Sequence, residues 1–269
     1  MARKARDSPP LVKMAIDPER IAALSREDPI AGVPGPGRWL VLEYQPTSLF
    51  SLKTSQATSS VGVTLIIPTP YAVKMAFVDA AFRAGFDVEN DYDEFLRSLA
   101  TVDVRIAPAP AAVVTNTFVK VRQESRDGDP LRPYGTTIAY REIVALGGSW
   151  LWAFDLACAD VQLAQRLVRL APYVSYVGKR GSFIQYRELH RRTNLEGEFT
   201  QPLLAAEKWT PERVHIRPLD DFGPEANLEF LSSFTFLKPK RDKHRRFVPT
   251  IIPIGVVNAG PGFTEYRRG

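Results

Sequence analysis

The residues best placed to do chemistry lie between Tyr173 and Tyr186. At their centre is the turn Gly178-Lys179-Arg180-Gly181-Ser182. Its glycines permit positive φ and let the backbone approach a partner closely. Two cations sit between them and a hydroxyl follows, with Tyr173, Tyr176, Phe183 and Tyr186 on the flanks. Together these are the parts of a site that grips a phosphate backbone. An ordinary β-turn with a solvated basic tip is built from the same residues.

Other stretches offer matching chemistry. Thr47 to Ser60 is rich in Ser and Thr and contains Lys53, Ser55 and Gln56. It is expected as a surface loop, too polar for the core, that can present hydroxyls, an amide and a cation. Lys120 and Arg122 alternate with Val119 and Val121, which gives a strand one basic and one apolar face. With Arg141 they are expected to form a basic track. The polar run Gln123 to Thr136 between these strands holds Arg126 and Arg132, and Tyr134 lies at its end. Loops of such length in compact domains are usually functional. Near the end of the chain, Lys238 to Arg246 carries six Lys or Arg against one Asp. Such a run is a solvated loop or a nucleic-acid patch.

Acid–base catalysis has fewer candidates. The histidines are His190, His215 and His244. His190 follows the basic turn, so His190, Tyr186 and Lys179 could form a metal-independent ribonuclease centre. A histidine among Arg187, Arg191 and Arg192 serves equally as an RNA contact. No carboxylate pair, Gly-rich phosphate loop with a downstream acid, or Ser/His/Asp order stands out for a small-molecule enzyme. Asp87, Glu89, Asp91, Asp93 and Glu94 read as a surface segment at the start of a helix. No cofactor and no metal is expected.

Bulk properties agree with a globular protein. The chain has 269 residues, 45% hydrophobic and 24% charged, and a net charge of +5. A mildly basic balance permits a nucleic-acid partner without requiring one. The single cysteine, Cys158, lies in an apolar run and is expected in the core. One cysteine excludes an intrachain disulfide, which suits a reducing cytoplasm. Neither a signal peptide nor a membrane-spanning run is read.

The elements that must position these residues follow from pattern. Residues 1–37 read as a leader, with a short helix from Asp17 to Leu24 and a Gly/Pro hinge before the first strand, Trp39 to Tyr44. Tyr71 to Ala84 is apolar almost all round and predicts a buried helix ended by Gly85. Asp91 to Ala100 predicts a second, short helix. Val102 to Ile106 is a strand candidate. Val113 to Val121 and Thr137 to Leu146 predict the arms of a long hairpin. A strand from Trp150 to Leu156 leads into a helix from Asp160 to Ala171, with an apolar stripe of Val161, Ala164, Leu167, Val168 and Ala171. Residues 193–227 look irregular. Asn227 to Leu237 looks strand-like, and Val248 to Val257 reads as an edge strand because of Pro249 and Pro253.

From 39 to 186 the order is strand, helix, long hairpin, helix, strand, which is the split βαβ plan. The expected class is α+β: a ferredoxin-like, RRM-like core over 38–187, a hairpin thumb near 113–146, and a β-rich C-terminal extension over 188–269. Three runs then resemble the fifth Cas protein family of the CRISPR-associated RAMP superfamily. They are Thr64 to Gly85, a proline-flanked entry into a buried helix; Thr-Thr-Ile-Ala-Tyr-Arg-Glu ending at Glu142, a return strand; and Tyr176 to Phe183, of the form Y-x-G-K-x-x-S-F. The resemblance implies a non-catalytic, cytoplasmic subunit of a Cascade-like complex that holds the 5′ handle of the guide RNA (crRNA). Its neighbours would be the backbone and large subunits, and it would meet target DNA indirectly. It implies that Gly178 to Ser182, Lys53, Ser55 and Gln56 hold the handle, with Lys120, Arg122 and Arg141 along the hairpin. Arg126, Arg132 and Tyr134 would meet the guide–target duplex. Some members cut precursor RNA themselves, which keeps the His190 centre as an alternative.

Overall fold

The computed structural model describes residues 37–269 apart from 54–60, 86–91, 125–130, 132, 133, 158, 160, 180, 206–212 and 232–236. The expected Asp17–Leu24 helix, Cys158 and the Asp160 cap lie outside the described residues. So do Ser55, Gln56, Arg126, Arg132 and Arg180. The first strands are β1 (Trp39–Pro46), β2 (Leu52–Lys53), β3 (Val61–Gly62), β4 (Thr64–Leu65) and β5 (Val104–Ala107). Next come β6 (Ala111–Glu124), β7 (Tyr134–Gly147), β8 (Trp150–Asp155) and β9 (Ile184–Arg192). The C-terminal strands are β10 (Gln201–Pro202), β11 (His215–Phe222), β12 (Arg245–Ile252), β13 (Ile254–Gly260) and β14 (Phe263–Arg268). The helices are α1 (Pro70–Ala84), α2 (Tyr92–Thr101), α3 (Val161–Leu170) and α4 (Leu228–Leu231).

The central sheet has the order β5–β8–β1–β9, with every neighbouring pair antiparallel. One face carries Leu40, Leu42, Tyr44, Trp152 and Phe154, which pack against α1, α2 and α3. Tyr44 is buried there, and its hydroxyl donates to the Ala171 carbonyl at 2.8 Å. The opposite face is covered at one end by Phe199 and Leu195, which pack on Trp39, Val41 and Ala153. A second sheet, β13–β14–β6–β7–β3, contains the long hairpin, and a third, β10–β12–β11, lies in the C-terminal region. The fold is α+β with largely antiparallel sheets; β3 and β7 form a parallel pair. β9 runs through residue 187, and Leu219, Phe222, Ile252 and Ile254 join the same apolar core as α1.

α1 forms where its residues favour it. Thr69 caps it, accepting from the Ala72 N–H at 3.2 Å, and Pro70 takes the first helical position. Gly85 ends it with φ +67°, in the left-handed region. Within this apolar helix Lys74 is fully buried, with its Nζ 2.7 Å from Asp221 Oδ1 of β11. Arg246 reaches the same carboxylate at 2.7 Å, Arg245 pairs with Asp220, and the Arg245 guanidinium lies over the Tyr71 ring. Burial lowers the Lys74 pKa, against the pull of Asp221. These charges fasten the C-terminal strands to α1.

Several expectations change. Thr47–Ser60 is not wholly surface, because Phe50 and Leu52 are buried against the hairpin base and the turn before β9. The α3 stripe centres on Leu163, Leu167 and Leu170, and Val161 is 69% exposed. At about 100° per residue, Val161 falls roughly 150° from that centre, close to the opposite face. The stretch thought irregular contains β11. Asn227 starts a helical turn instead of a strand, its side chain accepting from the Phe230 N–H at 3.2 Å. Val248–Val257 divides at Pro253 into β12, central in its sheet, and β13, at the edge of another. Pro249 is tolerated inside β12 because its partner in register is Pro218 of β11.

Replacing Asp221 with alanine strands the Lys74 ammonium in the core. The expected loss is about 3–5 kcal/mol in urea unfolding, and Lys74→Met in the same background should recover part of it.

Candidate nucleic-acid interface

The basic turn is held from three sides. Tyr176 pairs with Phe183 in an antiparallel bridge, and the Tyr176 hydroxyl donates to Asp79 of α1 at 2.9 Å. Arg83 of α1 binds Asp79 at 2.7 Å and the Tyr173 carbonyl at 2.8 Å. On the other flank, the Thr47 N–H donates to the Phe183 carbonyl at 3.1 Å, and the Ser48 hydroxyl to the Gly181 carbonyl at 3.2 Å. Gly178 has φ +69°, and a Cβ there would stand 2.9 Å from Leu52 Cδ2. The left-handed conformation favours glycine, and a Cβ would push the end of the Leu52 side chain aside. The turn thus abuts β2, which carries the exposed Lys53.

Lys179 is exposed at the tip, and Phe183, four residues on, is 53% exposed. An exposed cation and an exposed aromatic on one turn suit a phosphate with its base. Phe183 was legible as part of the turn motif but was not singled out as a stacking residue. Ser182 differs from expectation: it is 3% exposed, so its hydroxyl is withdrawn from solvent. Its backbone closes the turn, the carbonyl accepting from Val177 at 3.2 Å and the N–H donating to Lys179 at 3.0 Å.

The hairpin register revises the basic track. Lys120 pairs with Ile138 and Arg122 with Thr136, whereas Arg141 pairs with Thr117. Residues of opposite parity point to opposite faces, so Arg141 stands away from Lys120 and Arg122. The Lys120 face begins in the core with Ala112, Val114 and Val144 and runs outward into solvent. There it exposes Phe118 (73%), Ile138 (68%) and Tyr134. Phe118 meets Tyr140 edge to face at 5.4 Å. Val119 is exposed as well, so beyond the base neither side of the hairpin is an apolar face turned inward.

The proposed catalytic trio does not assemble. β9 bulges at Arg187: Tyr186 lies opposite Tyr44, but Glu188 lies opposite Glu43 and His190 opposite Val41. Tyr186 therefore shares the helix-covered face with Tyr44, while His190 is on the other face with Arg192. Arg192 Nε donates to His190 Nε2 at 3.1 Å. Burial, then the Arg192 charge, lowers the His190 pKa; burial raises that of Tyr186.

The C-terminal basic run is largely neutralised. Lys243 pairs with Glu225, Arg245 with Asp220 and Arg246 with Asp221. Its loop closes on the buried His244, whose ring stacks on Phe230 at 3.9 Å and accepts from the Lys240 N–H at 3.1 Å. Among the described residues, no cluster of three or more His, Cys, Asp or Glu could hold a metal ion.

No family model matches the chain. The CRISPR-associated protein Cas5 of Archaeoglobus fulgidus is 20% identical over 202 residues, 74% of this chain and 86% of that protein. This chain is thus similar to that Cas5 protein. A crystal structure of a CRISPR protein from Archaeoglobus fulgidus aligns at a TM-score of 0.40 and 10% identity, over 86% of this chain and 92% of that one. A chain of a CRISPR RNA-guided surveillance complex aligns at a TM-score of 0.40 and 16% identity, over 79% and 88%. The three runs behind the Cas5 resemblance fall on α1 and its entry, on β7, and on the turn before β9.

Two outcomes test this geometry. Gly178→Ala should cost at least about 1–2 kcal/mol in chemical unfolding, from left-handed strain alone. His190 has a native pKa below its unfolded value, so it favours folding above about pH 6.5 and loses that contribution as the pH falls through the native pKa. His190→Gln should therefore flatten the loss of stability between pH 7.5 and pH 5, read by urea unfolding at each pH.

Proposed function

We propose that this chain is a non-catalytic RNA-binding subunit of a type I, Cascade-like CRISPR surveillance complex, acting in antiviral defence. It grips the 5′ handle of the guide RNA and contacts the backbone and large subunits in the cytoplasm. The observation that carries this reading is the basic turn at 178–182. It is pinned between α1 and the Thr47–Lys53 segment, and it exposes both Lys179 and Phe183 to solvent. The likeness to Cas5 supports it.

The finer architecture follows the same reading. The order β5–β8–β1–β9, with α1 and α3 in the two crossovers, supports a ferredoxin-like core over 38–187. The β6–β7 hairpin is inserted between the second and third core strands. We read it as the thumb, whose Phe118, Ile138 and Tyr134 are open for contact with bases of the guide–target duplex. The remainder, 188–269, is the C-terminal extension. Among the described residues no helix is long and apolar enough to cross a membrane.

The purified chain should bind repeat-derived RNA carrying the handle. Lys179→Ala with Arg180→Ala should weaken that binding about tenfold. It should also reduce the salt slope by about 0.7 for each phosphate no longer neutralised, with far-UV circular dichroism unchanged. Equal affinity and slope in wild type and variant would return the turn to an ordinary solvated loop.

A further inference from the structure

We propose that a second RNA-contacting strip lies on the C-terminal region, formed by Arg213, His215 and Arg217 of the β11 edge together with Tyr266 of β14. It takes the phosphodiester backbone of the same single-stranded RNA and rests on the RNA-binding reading above. Within β11, His215 and Arg217 are at alternate positions and share one face of the strand. Arg213 lies two residues before the strand, and Arg213 and Arg217 are both exposed. Four residues separate them, so their guanidinium groups can meet different phosphates.

Charge pairing separates these arginines from their neighbours. In the same region Arg245, Arg246, Arg267, Arg268 and Lys243 each have a carboxylate partner. Among the described residues, no carboxylate forms an ion pair with Arg213 or Arg217. Arg217 Nη2 instead lies 3.3 Å from His215 Nε2. A guanidinium only donates, so that ring nitrogen accepts and the imidazole is neutral. The arginine is thus oriented without being neutralised, and its remaining donors stay available to an anion. Tyr266 meets the His215 ring edge to face at 5.8 Å. Its hydroxyl, a phenol protonated at neutral pH, can donate; burial and the Glu142 charge push its pKa further up, against the pull of Arg217.

The strip continues the first interface. Tyr266 neighbours Glu142, whose Oε2 accepts from the Thr64 N–H at 2.7 Å. Thr64 pairs with Lys53 in register, and Leu52 beside it touches the turn at Gly178. These contacts link the turn to the strip through the fold, with the Glu142 carboxylate between them. An aromatic pair beside unneutralised arginines is the chemistry of a single-stranded RNA groove.

The test uses the full chain and fluorescently labelled repeat RNA carrying the handle, titrated at several salt concentrations. Arg213→Ala with Arg217→Ala should weaken binding about tenfold and lower the salt slope by about 1.4, as for two phosphates of a single strand. Tyr266→Ala should weaken binding while leaving the slope unchanged. Binding by wild type that survives the arginine pair with the same affinity and slope overturns the strip alone. If wild type binds no RNA, the reading beneath it falls as well. If Arg213→Glu with Arg217→Glu keeps RNA affinity but blocks assembly with co-expressed partner subunits, the strip is a protein interface and the RNA assignment is overturned.

Discussion

A lysine ammonium shut off from water must have a counter-charge, and in this molecule that requirement joins the two ends of the fold. Lys74 sits in the middle of an apolar helix, and its partner, Asp221, lies about 150 residues further along the chain. Once Asp221 is drawn to α1, β11 is fixed against the core. Asp220 and Asp221 then gather Arg245 and Arg246 from β12. These charges, together with the apolar packing of Leu219, Phe222, Ile252 and Ile254, hold the C-terminal strands on the core.

The same interaction explains what the sequence concealed. α1 was readable because, between a proline and a glycine, only Lys74, Asp79 and Arg83 interrupt its apolar residues. The hairpin arms were readable because β-branched residues recur on both sides of a polar segment. β11 was not, because its inward residues include Asp220 and Asp221, and adjacent acids ordinarily mark a surface. Lys240 to Arg246 misled in the opposite sense. It looked like free positive charge, yet much of that charge answers acids brought close only by folding. Phe50 and Leu52 were obscured by the Ser and Thr around them; single buried residues in a polar stretch leave no periodic signal.

For the candidate site, residue types were legible and faces were not. The turn and Lys53 occupy neighbouring places, as the family resemblance implied. Whether Arg141 accompanies Lys120, or His190 accompanies Tyr186, depends on strand register, which is decided by partners distant in sequence. Phe183 sits inside the motif that drew attention to the turn, but its openness comes from the way Thr47 and Ser48 meet the strand edge. Ser182 shows the converse, a hydroxyl in a loop motif that folding turns inward.

The bulge in β9 has a consequence for length variation. Tyr186 and Leu189 are three residues apart yet both meet the helix layer, because Arg187 is accommodated as an extra residue. Take Arg187 away, and Ile184, Tyr186 and Leu189 fall into plain alternation, each keeping its partner on β1. A one-residue deletion elsewhere in the strand would throw one segment out of phase, turning apolar side chains to water and charged ones into the core. Position 187 is therefore the place where this strand can lose a residue while the surfaces on both faces of the sheet remain as they are.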